Sequence, residues 1–317
     1  MATTLPAVPK VRLGRTGIET TKLGMGSVNL LERNWIGRTS DDDYVALLRE
    51  AFSLGIRHLD TAPSYDQALF ARLLTEAEPP DDVVVVSKVG RYRADDGGLF
   101  SDFDPELAVR SVHRSLNELG LERLPILKLH DARPDDWDQI MAPDGTLAAL
   151  RRLQAEGLVG AIGIAVGNAD FAATAAASGE FDIIGSYHHY TLLNRFAARR
   201  IHPQARRHDL GVINISPFAG NILATGAVTG AHYSYRDASP EILEVVRGIE
   251  ARATASGVTL PEAALSFSLV CPDVDVSVIG PMSIAELRAD VAVLGLRLTR
   301  EELAAIASPV DFPGYWF

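Results

Sequence analysis

Four polar side chains follow strand-like runs of the chain, and together they could carry out acid–base chemistry. Asp60 and Tyr65 follow the short run that begins at Ile56. Lys88 follows four consecutive valines, and His130 ends another apolar run. In a parallel α/β barrel, catalytic groups come from the carboxyl ends of the strands and from the loops behind them. We therefore predict that Asp60, Tyr65, Lys88 and His130 meet at one mouth as a catalytic group.

These four residue types suit redox chemistry between an alcohol and a carbonyl. Hydride transfer creates or consumes an alkoxide, so a group must give or take a proton at that oxygen. Tyr65 could do so if the Lys88 ammonium lowers its pKa from the ordinary value of about 10. Asp60 would keep Lys88 charged, and His130 could orient the substrate oxygen. Each residue alone has an ordinary structural explanation, so the interpretation depends on their joint placement.

Strand-like runs alternate with amphipathic helical segments along the whole chain, which predicts a parallel sheet with right-handed crossovers. The helices have clear boundaries, as where Ser40 precedes three aspartates and where Asp104 precedes Pro105. Eight strands are predicted, which favours a closed (β/α)8 TIM barrel in one domain, residues 1–317, with an N-terminal β-hairpin at residues 7–22 closing the barrel floor. The predicted strands lie near Leu23–Met25 and at Ile56–Asp60, Val83–Val86, Pro125–Leu129, Ala161–Val166, Phe181–Ile184, Gly211–Ile215 and Val276–Ile279.

Composition excludes several functional classes. The formal net charge of −11 argues against nucleic acid or an anionic membrane surface as a partner. Cys271 is the single cysteine, so no intrachain disulfide can form, and its apolar surroundings predict a buried structural thiol. We expect no metal site. Neither a signal peptide nor an apolar run of membrane-spanning length is recognisable, and we expect a cytoplasmic protein.

The segment Gly55-Ile-Arg-His-Leu-Asp-Thr-Ala-Pro-Ser-Tyr65 resembles the signature of the aldo-keto reductase superfamily, in which Asp and Tyr stand five apart. The segments around Lys88 and His130 match the family's lysine and histidine positions. Further likeness extends over nearly the whole chain and is nearest to the L-fucose and D-threo-aldose 1-dehydrogenase branch. It includes Arg12-Leu-Gly-Arg-Thr-Gly17, Tyr190-Thr-Leu-Leu-Asn-Arg195 and Ser216-Pro-Phe-Ala-Gly-Asn-Ile-Leu223. The resemblance implies hydride transfer to or from NAD or NADP, with Tyr65 as general acid and base.

The resemblance also suggests cofactor contacts, although the chain departs from the family's pattern near the nicotinamide. Ile215 stands where many relatives have a tyrosine under that ring, and Asp66 and Gln67 follow Tyr65 where relatives have other residues. The candidate cofactor residues are Gly26, Asn168, Tyr187, Ser216, Phe218, Gly220, Leu223, Gly280, Glu286 and Asp290.

The choice between NAD and NADP depends on the residues that surround the adenine ribose of the bound cofactor. Glu286 aligns where NADP-preferring relatives often have a cation, so its carboxylate would repel a 2′-phosphate and accept hydrogen bonds from ribose hydroxyls. We therefore slightly favour NAD over NADP. Arg288 is the alternative, because a shift of one turn would bring it to the phosphate.

The substrate is a small-molecule alcohol or carbonyl that the sequence leaves open. Trp35, Tyr92, Tyr315 and Trp316 could line the mouth, and aromatic walls suit sugars and flat aldehydes alike. Packing against the barrel explains the C-terminal aromatic residues equally well. Aldose oxidation is the leading hypothesis. A carbonyl reductase of a biosynthetic pathway and a non-catalytic nucleotide-sensing subunit are the alternatives, and the oligomeric state stays open.

Overall fold

Parallel strands close into a barrel in the computed structural model, which describes residues 5–31, 39–94, 96–234 and 236–312. The strands of the described residues are β1 (Lys10–Arg12), β2 (Glu19–Thr21), β3 (Leu23–Gly26), β4 (His58–Asp60), β5 (Val84–Val89), β6 (Arg91–Arg93), β7 (Leu99–Ser101), β8 (Leu124–His130), β9 (Val159–Val166), β10 (Ile183–Tyr187), β11 (Gly211–Ile215), β12 (His232–Tyr233), β13 (Arg236–Asp237) and β14 (Val276–Ile279). The barrel order is β10-β11-β14-β3-β4-β5-β8-β9, and all these neighbours pair in parallel. The prediction of a (β/α)8 barrel is confirmed.

Helices cover the outside of the barrel and return the chain from the end of one strand to the start of the next. Those of the described residues are α1 (Asp41–Ser53), α2 (Gln67–Glu76), α3 (Pro105–Leu119), α4 (Trp137–Met141), α5 (Thr146–Ala155), α6 (Ala169–Ser178), α7 (Phe196–Arg200), α8 (His202–His208), α9 (Ile222–Thr225), α10 (Pro240–Ala255), α11 (Leu260–Leu269), α12 (Ile284–Ala292) and α13 (Arg300–Ile306). The predicted caps form, since the Ser40 side chain accepts a hydrogen bond from the Asp43 amide and Asp104 accepts one from Leu107. Within the described residues, no helix has both the length and the apolar character that crossing a membrane requires.

An antiparallel hairpin of β1 and β2 closes the floor of the barrel, as the sequence predicts. Its turn carries Leu13, which is fully buried and packs with inward-facing residues of the barrel such as Ile126 and Ile213. Gly14 has a φ of +42°, and a Cβ atom there would lie 2.4 Å from the Gly211 amide nitrogen. Only glycine allows the turn to approach the start of β11 so closely.

The opposite end of the barrel is the mouth, where the carboxyl ends of the strands meet. The short hairpin of β6 and β7 follows β5, and the hairpin of β12 and β13 lies in the connection behind β11. The third predicted strand is longer than expected, because pairing with β8 continues to Val89. Lys88 therefore lies within a strand, and a rigid ladder of hydrogen bonds fixes its backbone.

Candidate active site

Asp60 ends β4 at the mouth and lies between two lysines. The Lys88 ammonium donates to Oδ1 of Asp60, and the Lys128 ammonium donates to Oδ2 at 2.5 Å. Lys88 and Lys128 are register partners on the neighbouring strands β5 and β8, so the pleat turns both side chains to the same face. All three side chains are buried.

Tyr65 and His130 complete the predicted catalytic group. The Tyr65 hydroxyl lies 3.1 Å from Nε2 of His130, and the Lys88 ammonium lies 4.6 Å from the centroid of the tyrosine ring. Lys88 also donates to the Thr61 carbonyl oxygen at 2.9 Å, which fixes the ammonium between Asp60 and the tyrosine. The structure thus brings together the four residues that sequence reasoning selected.

Burial and mutual charge set the protonation states of this group. Burial opposes ionisation of Asp60, but the two ammoniums outweigh it and hold the pKa of Asp60 well below its usual range. Burial lowers the pKa of Lys88 to about 8, although Asp60 opposes that shift. Burial, reinforced by the charge of Lys88, lowers the pKa of His130 well below its usual value. His130 is therefore neutral near pH 7.

This arrangement of side chains can transfer a proton to or from a substrate oxygen that binds next to the Tyr65 hydroxyl. The tyrosine is half-buried at the mouth, whereas the groups beneath it are closed to solvent. A neutral His130 can donate or accept a hydrogen bond at the same substrate oxygen. A buried ammonium beside a phenol favours the tyrosinate, so Tyr65 could act as an acid in one direction and a base in the other.

Sequence reasoning missed several groups around this cluster. Lys128 was assigned no role, and neither was the Arg91–Asp131 ion pair at the rim, where Oδ2 of Asp131 lies 3.9 Å from Nε2 of His130. Gln67, which departs from the family's pattern, is buried and accepts a hydrogen bond from Ser87 at 2.5 Å beside Lys88. One signal was present: Lys128 stands two residues before His130, on the same face of its strand.

The loop after β11 and the short helix α9 that follows it carry four of the candidate cofactor residues. Ser216 has a φ of +62° and Gly220 one of +89°, which are the left-handed conformations of a tight loop. The Ser216 hydroxyl accepts from the Gly220 amide at 3.1 Å and lies 2.8 Å from Nε2 of the buried His188. Phe218 is half-buried. Leu223 is fully buried and its amide donates to the Phe218 carbonyl oxygen, so this residue supports the loop from beneath.

The segment after β14 leads into helix α12. Gly280 is exposed, and a Cβ atom there would meet nothing within 4 Å, so the backbone borders open space that a cofactor could enter. Oε2 of Glu286 accepts from the Met282 amide at 2.8 Å. The Arg288 side chain points elsewhere and donates to Glu50 at 2.7 Å. This open backbone at a helix N-terminus fits the approach of a dinucleotide.

The remaining cofactor candidates lie at other strand ends of the same mouth. Gly26 ends β3, and a Cβ atom there would lie 3.5 Å from Val278. Oδ1 of Asn168 accepts from the Phe171 amide and caps α6. Tyr187 ends β10 as the register partner of Ile215, half-buried, with its ring centroid 4.3 Å from that of His188.

The four predicted substrate-pocket residues have different outcomes. Tyr92 is 7% exposed, and its ring packs 5.5 Å from that of Phe100, so it offers a substrate little surface. Trp35, Tyr315 and Trp316 lie outside the described residues.

A possible metal-ligand group lies away from the mouth. Ligand atoms of His202, Cys271 and Asp273 all lie within 4.8 Å of one another. Asp273 already pairs with Arg206 at 3.0 Å, and Cys271 is buried, as the sequence predicts. Asp273 precedes β14, at the end of the barrel opposite the catalytic group.

Comparisons with known proteins agree with this geometry. The model of the Aldo/keto reductase family matches residues 22–311. An L-galactose dehydrogenase from Arabidopsis thaliana is 30% identical over 313 residues, which cover 94% of each chain. A D-threo-aldose 1-dehydrogenase from Pseudomonas sp is 30% identical over 321 residues, covering 94% of this chain and 95% of its own. An aldo-keto reductase structure from Bacillus halodurans, in its holo form, has the same fold, with a TM-score of 0.79 at 23% identity over 96% of this chain and 98% of its own.

Proposed function

Because the chain belongs to the aldo/keto reductase family, we propose that it oxidises an aldose at the hemiacetal carbon, with Tyr65 taking the proton of the hydroxyl. The family establishes the coarser activity: the protein is an NAD(P)-dependent oxidoreductase that acts on small-molecule alcohols and carbonyls. The predicted resemblance to the aldose dehydrogenase branch agrees with the two relatives named above.

The observation that carries this mechanism is the contact of Tyr65 with two buried neighbours, His130 and Lys88. Its hydroxyl lies 3.1 Å from the neutral His130, and its ring lies 4.6 Å from the Lys88 ammonium. Tyr65 takes the proton from the substrate hydroxyl during oxidation and returns it during reduction. His130 orients the substrate oxygen, and Asp60 holds Lys88 in place. A bound nicotinamide supplies the hydride chemistry.

Two observations support an aldose as the substrate. Both relatives at 30% identity carry names of aldose dehydrogenases. The rim beside His130 is also polar, because the Arg91–Asp131 ion pair borders it. Such groups suit a ligand with several hydroxyls, since each hydroxyl can both donate and accept a hydrogen bond. Trp35, Tyr315 and Trp316 stay candidate walls for the sugar ring.

We further propose that NAD is preferred over NADP. The Glu286 carboxylate already accepts from the Met282 amide, which is the kind of donor that a 2′-phosphate would use. A second acidic residue, Asp290, lies one turn further along α12 and ionises only near pH 7, because burial raises its pKa to about 7; Arg288 is paired with Glu50. A phosphate dianion would meet negative charge here, whereas ribose hydroxyls would meet acceptors.

Tyr187 is our candidate for the surface under the nicotinamide ring. It pairs in register with Ile215, the position at which many relatives have a tyrosine, so the aromatic ring would come from the neighbouring strand. Gly26, Asn168, Ser216, Phe218, Gly220 and Gly280 lie at neighbouring strand ends and loops and stay candidate contacts.

The first experiment follows the absorbance of the reduced nicotinamide with NAD and NADP across a panel of aldoses and aldehydes. We expect aldose oxidation with a higher kcat/KM for NAD, and a Tyr65→Phe variant that loses at least about a thousandfold in kcat while still binding cofactor. Faster reduction of aldehydes than oxidation of any aldose would favour the carbonyl reductase alternative. Tight cofactor binding without turnover on any substrate would instead favour a nucleotide-sensing subunit.

A further inference from the structure

Lys128 is a second buried cation that the proposed proton transfer does not require. Its side chain is fully buried, its ammonium lies 2.5 Å from Oδ2 of Asp60, and its stem passes Gly163 of β9 so closely that a Cβ atom there would be 3.0 Å from Lys128 Cγ. Burying an ammonium is costly unless it is paired, and here its partner is shared with Lys88. Such a costly arrangement points to a role in the site.

The charges around Lys128 do not balance. Asp60 contributes one negative charge, and Lys88 and Lys128 contribute two positive ones. His58, which lies two residues before Asp60 on β4, is buried, and burial lowers its pKa to about 4. His130 is neutral near pH 7 for the same reason. At the rim, Arg91 and Asp131 neutralise each other. The buried cluster therefore keeps one surplus positive charge.

Ionisation of Tyr65 would remove that surplus, because the tyrosinate adds the missing negative charge. We propose that Lys128 is a positioning residue whose charge, acting through Asp60 and Lys88, makes Tyr65 release its proton at a lower pH and so favours alcohol oxidation near neutrality. This inference rests on the proposed role of Tyr65. It requires that Oδ2 of Asp60 stays hydrogen-bonded to Lys128, because the carboxylate then neutralises the positive charge of Lys88 only in part.

The direction of the effect follows from Coulomb interactions alone. Replacing Lys128 by a neutral residue leaves Asp60 and Lys88 as a balanced pair, so less positive charge faces Tyr65. The same change removes one of the causes that lower the pKa of Lys88 to about 8, so Lys88 stays charged to a higher pH. This second effect opposes the first only above about pH 8, because below that pH Lys88 is already charged in the wild type. Oxidation needs the tyrosinate and reduction needs the phenol, so the loss of Lys128 should slow oxidation and favour reduction at a given pH.

The experiment compares Lys128→Met and Lys128→Gln with the wild type. Methionine keeps much of the length without charge or donor, and glutamine also keeps a hydrogen-bond donor for Asp60. Ile126→Val is the matched control, because Ile126 lies two residues earlier on the same face of β8, in the apolar interior of the barrel. Two quantities are measured. The first is the pH midpoint of kcat for oxidation. The second is the pH midpoint of the Tyr65 tyrosinate absorbance, obtained by subtracting the absorbance of the same protein carrying Tyr65→Phe.

We expect both lysine variants to raise both midpoints by roughly one pH unit, with no shift in Ile126→Val. Unchanged midpoints in either variant, with circular dichroism showing a folded barrel, would overturn the inference. A shift in Lys128→Met alone would also overturn it, because the hydrogen bond and not the charge would then be responsible. The absorbance titration needs no turnover, so a shift there in a protein that oxidises nothing would support the charge effect while the proposed function fails.

Discussion

At the scale of single residues, Glu286 links helix capping to cofactor choice. Its amide donates to the Ser283 hydroxyl at 3.2 Å, and its carboxylate accepts from the Met282 amide at 2.8 Å. A negative charge in the first turn stabilises a helix, because it meets the positive end of the helix dipole. The same charge lies where we expect the adenine ribose, so one side chain would serve both structure and selectivity.

Glu286→Gln separates these two roles. Glutamine keeps an acceptor for the Met282 amide but loses the negative charge. We expect kcat/KM with NADP to rise about tenfold while kcat/KM with NAD changes less than about twofold, because like-charge repulsion on the order of 1 kcal/mol is removed. Glu302→Gln is the matched control, because Glu302 caps α13 in a similar way: its amide donates to the Thr299 hydroxyl and its carboxylate accepts from the Thr299 amide. An equal change for both cofactors would argue against a phosphate-repelling role for Glu286.

At the scale of an element, α12 carries two acidic residues one turn apart. Burial, together with the negative charge of the neighbouring Glu286, raises the pKa of Asp290 to about 7. The folded protein therefore binds a proton at Asp290 that the unfolded chain has already released above about pH 4. The stability of the fold decreases as the pH rises from about 4 to about 7, and the full cost is reached above that range.

Asp290→Asn should relieve this cost and reveal its pH dependence. We expect the substitution to raise the free energy of unfolding by a larger amount at about pH 8 than at about pH 5. The difference between the two increases should be on the order of 1–2 kcal/mol, because solvent near the half-buried side chain weakens the effect. Urea unfolding without cofactor at the two pH values measures the difference. The same gain at both values would show that the substitution acts through packing or helix propensity and not through the titration of Asp290.

At the scale of the whole molecule, the floor hairpin covers the bottom of the closed barrel. Leu13 fills the bottom of the interior and packs with residues from several strands, including Val84, Ile183 and Val276. The predicted catalytic group lies at the opposite end of the same strands. We therefore expect the floor to determine stability and the mouth to determine activity, as is usual in barrels of this kind. We also propose that residues 1–317 unfold as one domain.

Leu13→Ala tests this division. The cavity left in the barrel floor should lower the free energy of unfolding by about 3 kcal/mol, while kcat and KM at moderate temperature stay within about twofold. Val11→Ala in the same hairpin, where the side chain is only half-buried, is the control and should cost less. Two separate unfolding transitions would contradict the single domain, and a large loss of kcat would show that floor and mouth are coupled.

The sequence by itself determined the barrel and the convergence of the four residues predicted to be catalytic. Alternation of strands and helices is a local pattern, and it implies that all strand ends face one mouth. Asp60, Tyr65, Lys88 and His130 follow or end the strands that the sequence predicts, so their convergence could be predicted without coordinates. The caps at Ser40 and Asp104 were also predictable, because a cap involves only neighbouring residues.

Only the tertiary structure decided which strands are neighbours in register and which charges share a partner. Lys128 resembles an ordinary strand lysine until pairing of β5 with β8 brings it beside Lys88 and onto Asp60. Burial of Tyr92 against Phe100, and the pairing of Arg288 with the distant Glu50, likewise depend on packing. The physical reason is that electrostatics and burial depend on distances in space between residues far apart in the chain, whereas periodicity and capping are local properties of the sequence.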